Sequence, residues 1–126
     1  MKIEHIAIYT RNLDALRDFY RTYFGASSND RYQSKSGMQS YFLTFDDGAR
    51  LELMWMPSLR DGAAGAGFTG FTHLAFSVGS REAVDSLTDR LVQDGHRLIS
   101  ARRITGDGYY ESCVADPDGN AVEITI

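Results

Sequence analysis

Two apolar runs near the starts of the chain's two halves each carry an imidazole: "IEHIAIYT" with His5 and "FTHLAFSV" with His73. Side chains alternate across a strand, so residues two apart share a face. Ile6 and Ile8 then point one way while His5 goes with Ala7 and Tyr9; Leu74, Phe76 and Val78 oppose His73, Ala75 and Ser77. The same test on two later runs isolates two carboxylates. In "ARLELMW" Glu52 opposes Leu51, Leu53 and Trp55, and in "NAVEITI" Glu123 opposes Val122, Ile124 and Ile126. Each glutamate stands four residues after a turn glycine, Gly48 or Gly119. Taken singly, a strand histidine is an ordinary hydrogen-bonded residue and a strand glutamate an ordinary solvated one. Recurrence at matching places in two halves points instead to shared chemistry. Buried carboxylates without partners are strongly unfavourable, and a divalent cation removes that cost. His5, Glu52, His73 and Glu123 form a nitrogen and oxygen donor set suited to nickel, zinc, cobalt, manganese or iron, and they leave positions of an octahedral shell for water or substrate.

The elements that must hold these four residues repeat as well. "IEHIAIYTRNLDALRDFYRTYFGA" and "FTHLAFSVGSREAVDSLTDRLVQDG" share one order: alternating strand, polar turn, amphipathic helix, glycine stop. In the first helix Leu13, Leu16, Phe19, Tyr20, Tyr23 and Phe24 recur at helical spacing before Gly25, and in the second Ala83, Val84, Leu87, Leu91 and Val92 do so before Gly95. Asn12 and Ser80 are placed as N-caps. Strands follow: "QSYFLTF" and "ARLELMWM" around the turn "DDG", then "HRLISARRI", "YYESCVA" and "NAVEITI" around "TGDG" and "DPDG". A further strand is expected at 30–34. The reading is a single α+β domain over 1–126: module one at 1–56, a Gly/Ala linker at 57–70 and module two at 71–126, two tandem βαβββ modules in all. The strand faces opposite the helices are left free, and facing sheets would line a cleft with the four polar groups.

Composition narrows the function classes. Hydrophobic residues make up 43% of 126 and charged ones 24%, as in globular domains. A net charge of −4 gives no electrostatic reason to expect nucleic acid or an anionic membrane as partner. A single cysteine, Cys113, cannot form an internal disulfide, and the polar "TRNLD" directly after "MKIEHIAIY" is unlike a signal peptide, so a cytoplasmic protein is expected. No run approaches a membrane span. His96 in "DGHRL" reads as a surface histidine, Arg102 and Arg103 as a solvated strand edge, and Cys113 lacks a neighbour to activate it. "GAAGAG" lacks the ending of a phosphate-binding loop.

The stretches "HIAIYTRNLDALRDFYRTYFG", "LELM", "THLAFSV" and "DPDGNAVEI" carry a resemblance that covers the whole chain. It resembles the vicinal oxygen chelate superfamily, which takes in glyoxalase I, extradiol dioxygenases and the fosfomycin and bleomycin resistance proteins. The resemblance implies a glyoxalase-like fold, paired modules forming a metal-binding cleft, and a homodimer. His5, Glu52, His73 and Glu123 reproduce the ligand order of bacterial glyoxalase I, the lactoylglutathione lyase. Dioxygenases and fosfomycin enzymes of the superfamily leave open the place that Glu52 fills. A metal-dependent lyase or isomerase is therefore implied, acting on a hemithioacetal or small α-hydroxycarbonyl through an enediolate, with Glu123 as first choice for the base and Glu52 as second. The family's glutathione-holding arginine and asparagine are replaced here by Tyr9 and Met56, so Tyr9, Met54, Met56 and Ala75 would give a more apolar substrate wall. A ferrous dioxygenase and a non-catalytic drug-binding protein are the alternatives.

Overall fold

A computed structural model describes residues 1–60, 62 and 69–126. Of the expected linker, 61 and 63–68 lie outside the described residues. The chain divides into two compact units, Met1–Gly62 and Ala63–Ile126.

The first unit opens with β1 (His5–Tyr9) and α1 (Leu13–Phe24). The helix starts where Asn12 Oδ1 accepts the Ala15 N–H at 3.2 Å, and it ends at Gly25, whose φ of 67° lets the Ala26 N–H return to the Tyr20 carbonyl at 3.2 Å. Leu13, Leu16, Phe19 and Tyr20 are buried on one helix face. They lie on the same side as Tyr41, Leu43, Leu51 and Leu53 of β4 (Gln39–Thr44) and β5 (Arg50–Trp55), which are also buried. Tyr41 ties the layers together: its hydroxyl donates to Asp14 at 2.9 Å and accepts from Arg17 at 2.8 Å and Arg31 at 3.0 Å. Within the strand expected at 30–34 only β3 (Tyr32–Gln33) forms, and a further short piece, β2 (Ser27–Ser28), precedes it, both antiparallel to β4. Between them the edge bulges, and the Asn29 side chain accepts the Phe42 N–H at 2.7 Å in place of a backbone carbonyl. The sheet order is β1-β5-β4-β2, with β1 and β5 parallel.

The second unit repeats the plan with one continuous edge strand, whose pairing shifts register between Leu98 and Ser100 and again between Ser100 and Arg103. β6 (His73–Ser77), α2 (Arg81–Gln93), β7 (Leu98–Ile104), β8 (Tyr110–Ala115) and β9 (Ala121–Thr125) give the order β6-β9-β8-β7. Ser80 caps α2 by accepting the Ala83 N–H at 3.2 Å. The apolar stripe of α2 is narrower than its sequence suggests: Val84 and Leu91 are buried, Leu87 is half-buried and Val92 is exposed. Thr88 takes the remaining core position. Its hydroxyl donates to the Val84 carbonyl at 2.5 Å and shares a hydrogen bond with Ser112 of β8 at 2.7 Å, which makes a polar residue tolerable there. The units are thus two βαβββ modules of mixed α and β structure. Among the described residues no helix is long and apolar enough to cross a membrane.

Candidate metal centre

Strand pairing gives the histidines and glutamates the same relation in both units. β1 and β5 run parallel with His5 opposite Arg50 and Ala7 opposite Glu52; β6 and β9 run parallel with His73 opposite Ala121 and Ala75 opposite Glu123. Residues opposite one another share a face, so each histidine lies diagonal to a glutamate across one strand gap. The buried side of each strand is settled by Leu51 and Leu53 in one sheet and Val122 and Ile124 in the other, all 3% exposed or less.

The turns before β5 and β9 fix that register. Gly48 and Gly119 adopt φ of 88° and 87°, which a side-chain-bearing residue rarely takes. Ahead of Gly119, the Asp116 carboxylate accepts the backbone N–H groups of Asp118 and Asn120 at 3.0 and 2.9 Å and the Asn120 amide at 2.8 Å. This clamps β8 to β9 and sets Cys113 opposite Glu123.

In the first unit His5 Nε2 lies 3.9 Å from Glu52 Oε2, and in the second His73 Nε2 lies 3.2 Å from Glu123 Oε2. Two donors each about 2.1 Å from one ion sit at most about 4.2 Å apart, and both pairs fall within that limit. The side chains of Glu52 and Glu123 are only 14% and 18% exposed, while those of His5 and His73 are 41% and 38% exposed. Covered carboxylates beside reachable imidazoles fit a borderline divalent ion. Among the described residues no three His, Cys, Asp or Glu side chains are grouped as ligands, and each unit holds one His–Glu pair.

Sequence reasoning missed Glu4. Alternation places its side chain opposite His5, but Glu4 precedes β1, and with its carbonyl held by the Arg50 N–H at 3.0 Å its side chain turns to the His5 side. Its carboxylate accepts the His5 Nδ1 proton and, through the other oxygen, pairs with Arg50. These two bonds hold the Glu4 carboxyl below the usual carboxylate range. The Arg50 guanidinium lies 4.3 Å over the Phe42 ring, and Phe42 meets the His5 ring edge-on at 5.5 Å between centroids. His5 is thereby oriented with Nε2 toward Glu52, the arrangement that a metal-ligating histidine gains from a carboxylate on its other nitrogen. In the second unit the corresponding positions are Thr72, Ala121 and Cys113, and that brace has no counterpart.

Other candidates are placed as follows. Tyr9 is exposed and opposite Met54, which like Met56 is half-buried; Ala75 is exposed. Burial pushes the Cys113 thiol up and the neighbouring Glu123 carboxylate adds to this, so it favours the unreactive protonated form. The His96 N–H closes the end of α2 on the Leu91 carbonyl at 2.9 Å.

The profile of the Glyoxalase/Bleomycin resistance protein/Dioxygenase superfamily matches residues 2–124. The chain belongs to this superfamily. Among solved structures, a glyoxylase/bleomycin resistance protein/dioxygenase domain from Frankia sp. EAN1pec resembles this superfamily member with a TM-score of 0.84 at 19% identity, covering 100% of this chain and 97% of the other. Lactoylglutathione lyase from Agrobacterium tumefaciens resembles it with a TM-score of 0.67 at 27% identity, covering 98% and 91%. The uncharacterized protein YqjT of Bacillus subtilis (strain 168) is 38% identical over 58 residues, a match spanning 44% of this glyoxalase-superfamily chain and 45% of YqjT. The glyoxalase-like arrangement of two βαβββ modules agrees with these likenesses.

Proposed function

We propose that the protein is a metal-dependent lyase or isomerase of glyoxalase I type. It would work as a homodimer in which a His5–Glu52 pair and a His73–Glu123 pair, from one chain or from two, hold one divalent ion. The observation that carries this reading is the duplicated pair: the same residue types at the same register, on the same face, with ligand-compatible separations of 3.9 and 3.2 Å. The likeness to a protein named lactoylglutathione lyase supports it.

The bound ion would supply Lewis-acid polarisation of a substrate that presents vicinal oxygens. The residues do the rest. Glu123, seated on β9 by the Asp116 clamp and beside His73, is the base that takes the proton from one carbon and returns it to the next, by way of an enediolate. Glu52 is the second candidate for this transfer. His5, braced by Glu4, would keep its place among the residues that hold the ion. Tyr9, Met54, Met56 and Ala75 would line an apolar wall against the substrate's carbon chain, with Tyr9 and Met56 in place of polar glutathione anchors.

Metal analysis of purified wild type and Glu52→Ala, followed by a hemithioacetal isomerisation assay after reloading with nickel, cobalt or zinc, tests the reading. Wild type is expected to take up stoichiometric metal and Glu52→Ala to lose it. Glu123→Gln is expected to lower kcat by about 10²–10⁴-fold, the usual contribution of a positioned base. A wild type that takes up no metal removes the reading altogether; stoichiometric metal without isomerisation removes the reaction and leaves the binding centre.

A further inference from the structure

The two adjacent arginines of β7 turn to opposite sides of the sheet. Arg102 reaches toward α2, 2.8 Å from Asp89 and 3.6 Å from Asp85. Arg103 instead donates to Glu111 Oε1 from Nη2 at 3.1 Å and from Nε at 3.4 Å. Arg103 and Glu111 are opposite one another across β7 and β8, Glu111 alternates with Cys113, and Cys113 is opposite Glu123. Ser112, between them, bonds to Thr88 of α2 and so fixes which side faces the helix. Arg103, Glu111, Cys113, Glu123 and His73 therefore share the face that α2 leaves uncovered.

Glu111 is only 8% exposed, a charged group that the metal reading does not use, whereas the Arg103 side chain is 58% exposed. The carboxylate engages the guanidinium along its Nε edge. The end-on fork, Nη1 with the second proton of Nη2, is not spent on Glu111 and has the geometry for another carboxylate. Two strand spacings across and two residues along separate Arg103 from Glu123, about 12 Å between Cα atoms by standard sheet dimensions. That suits a small acid with its reacting carbons at one end and its charge at the other.

We propose that Arg103, oriented by Glu111, anchors a carboxylate at the far end of the substrate. The substrate class is then an α-hydroxycarbonyl or hemithioacetal whose chain ends in an acid group. The assignment rests on the metal reading for where the reacting end lies.

Two hydroxamates test it, each offering vicinal oxygens to cobalt-loaded protein, one tailed with a terminal carboxylate and the other with a terminal amide. Calorimetry on wild type is expected to show about a tenfold or greater preference for the carboxylate tail, declining as salt is raised. Arg103→Gln is expected to bring the ratio close to one and Arg103→Lys to restore part of it. Because Arg103→Gln strands a buried carboxylate, the double variant Arg103→Gln/Glu111→Gln is measured beside it, with a folded far-ultraviolet dichroism spectrum required of both. Loss of preference in a folded variant supports the anchor. A preference that survives Arg103→Gln, a wild type without preference, or a wild type that binds neither compound overturns it. Isomerisation of a neutral hemithioacetal, assayed separately, reports on the reaction: turnover without charge preference sinks only the anchor, and charge preference without turnover sinks only the lyase.

Discussion

At the scale of single residues the two histidines are unequal. His5 is held through Nδ1 by Glu4, which Arg50 holds in turn, and its ring meets Phe42; His73 has the nearby Glu123 and none of that bracing. A carboxylate on the distal nitrogen fixes the tautomer and raises the basicity of the ligating one, so removing it weakens metal binding without removing a ligand. Glu4→Gln is expected to reduce cobalt affinity by about 10–100-fold, measured by competition with a chromogenic chelator. Thr72→Ala, at the matching position of the second unit, is expected to change it by much less. Equal effects at the two positions would show that the bond to Glu4 is an exposed contact without consequence for the centre.

At the scale of elements, each helix is secured to its sheet by a polar device set into an apolar layer. On α2 this is the Thr88–Ser112 hydroxyl pair, both residues 2% exposed or less. Removing the Thr88 hydroxyl leaves that of Ser112 buried without this partner, removing that of Ser112 takes one bond from Thr88 while its donation to the Val84 carbonyl remains, and replacing both makes the interface uniformly apolar. Thr88→Val and Ser112→Ala are each expected to cost about 1–3 kcal/mol in urea unfolding, and the double variant to cost less than their sum. Additive effects would mean that the two hydroxyls are satisfied independently. This pair also shows where sequence periodicity stops being informative. The alternation of His5, Glu52, His73 and Glu123 against aliphatic neighbours is local, and it was legible because strand geometry alone decides which face a side chain takes. Asn12, Ser80 and Gly25 were legible for the same reason, as helix ends are specified by adjacent residues. Thr88 was not, because a threonine enters a core only when a partner from another element satisfies it. Glu4 and Asn29 were hidden likewise: one acts from just outside its strand and the other from within a broken edge.

At the scale of the whole molecule, duplication gives each unit one imidazole and one carboxylate. On the proposed reading, a four-ligand centre would need two such pairs. If the pairs come from different protomers about a twofold axis, damage to one unit can be complemented by damage to the other. Glu52→Ala disables the first unit's contribution and Glu123→Ala the second's. Each variant alone is expected to be inactive. In a heterodimer of the two, one site combines both lesions and the other combines both intact pairs. Random reassociation from an equal mixture makes half the dimers mixed with one good site in each, so about a quarter of wild-type isomerase activity should return. Light scattering on the same samples should give the mass of a dimer. Within a single chain every site would keep its own lesion, and a mixture as inactive as its components, though dimeric, would place both ligand pairs in one protomer.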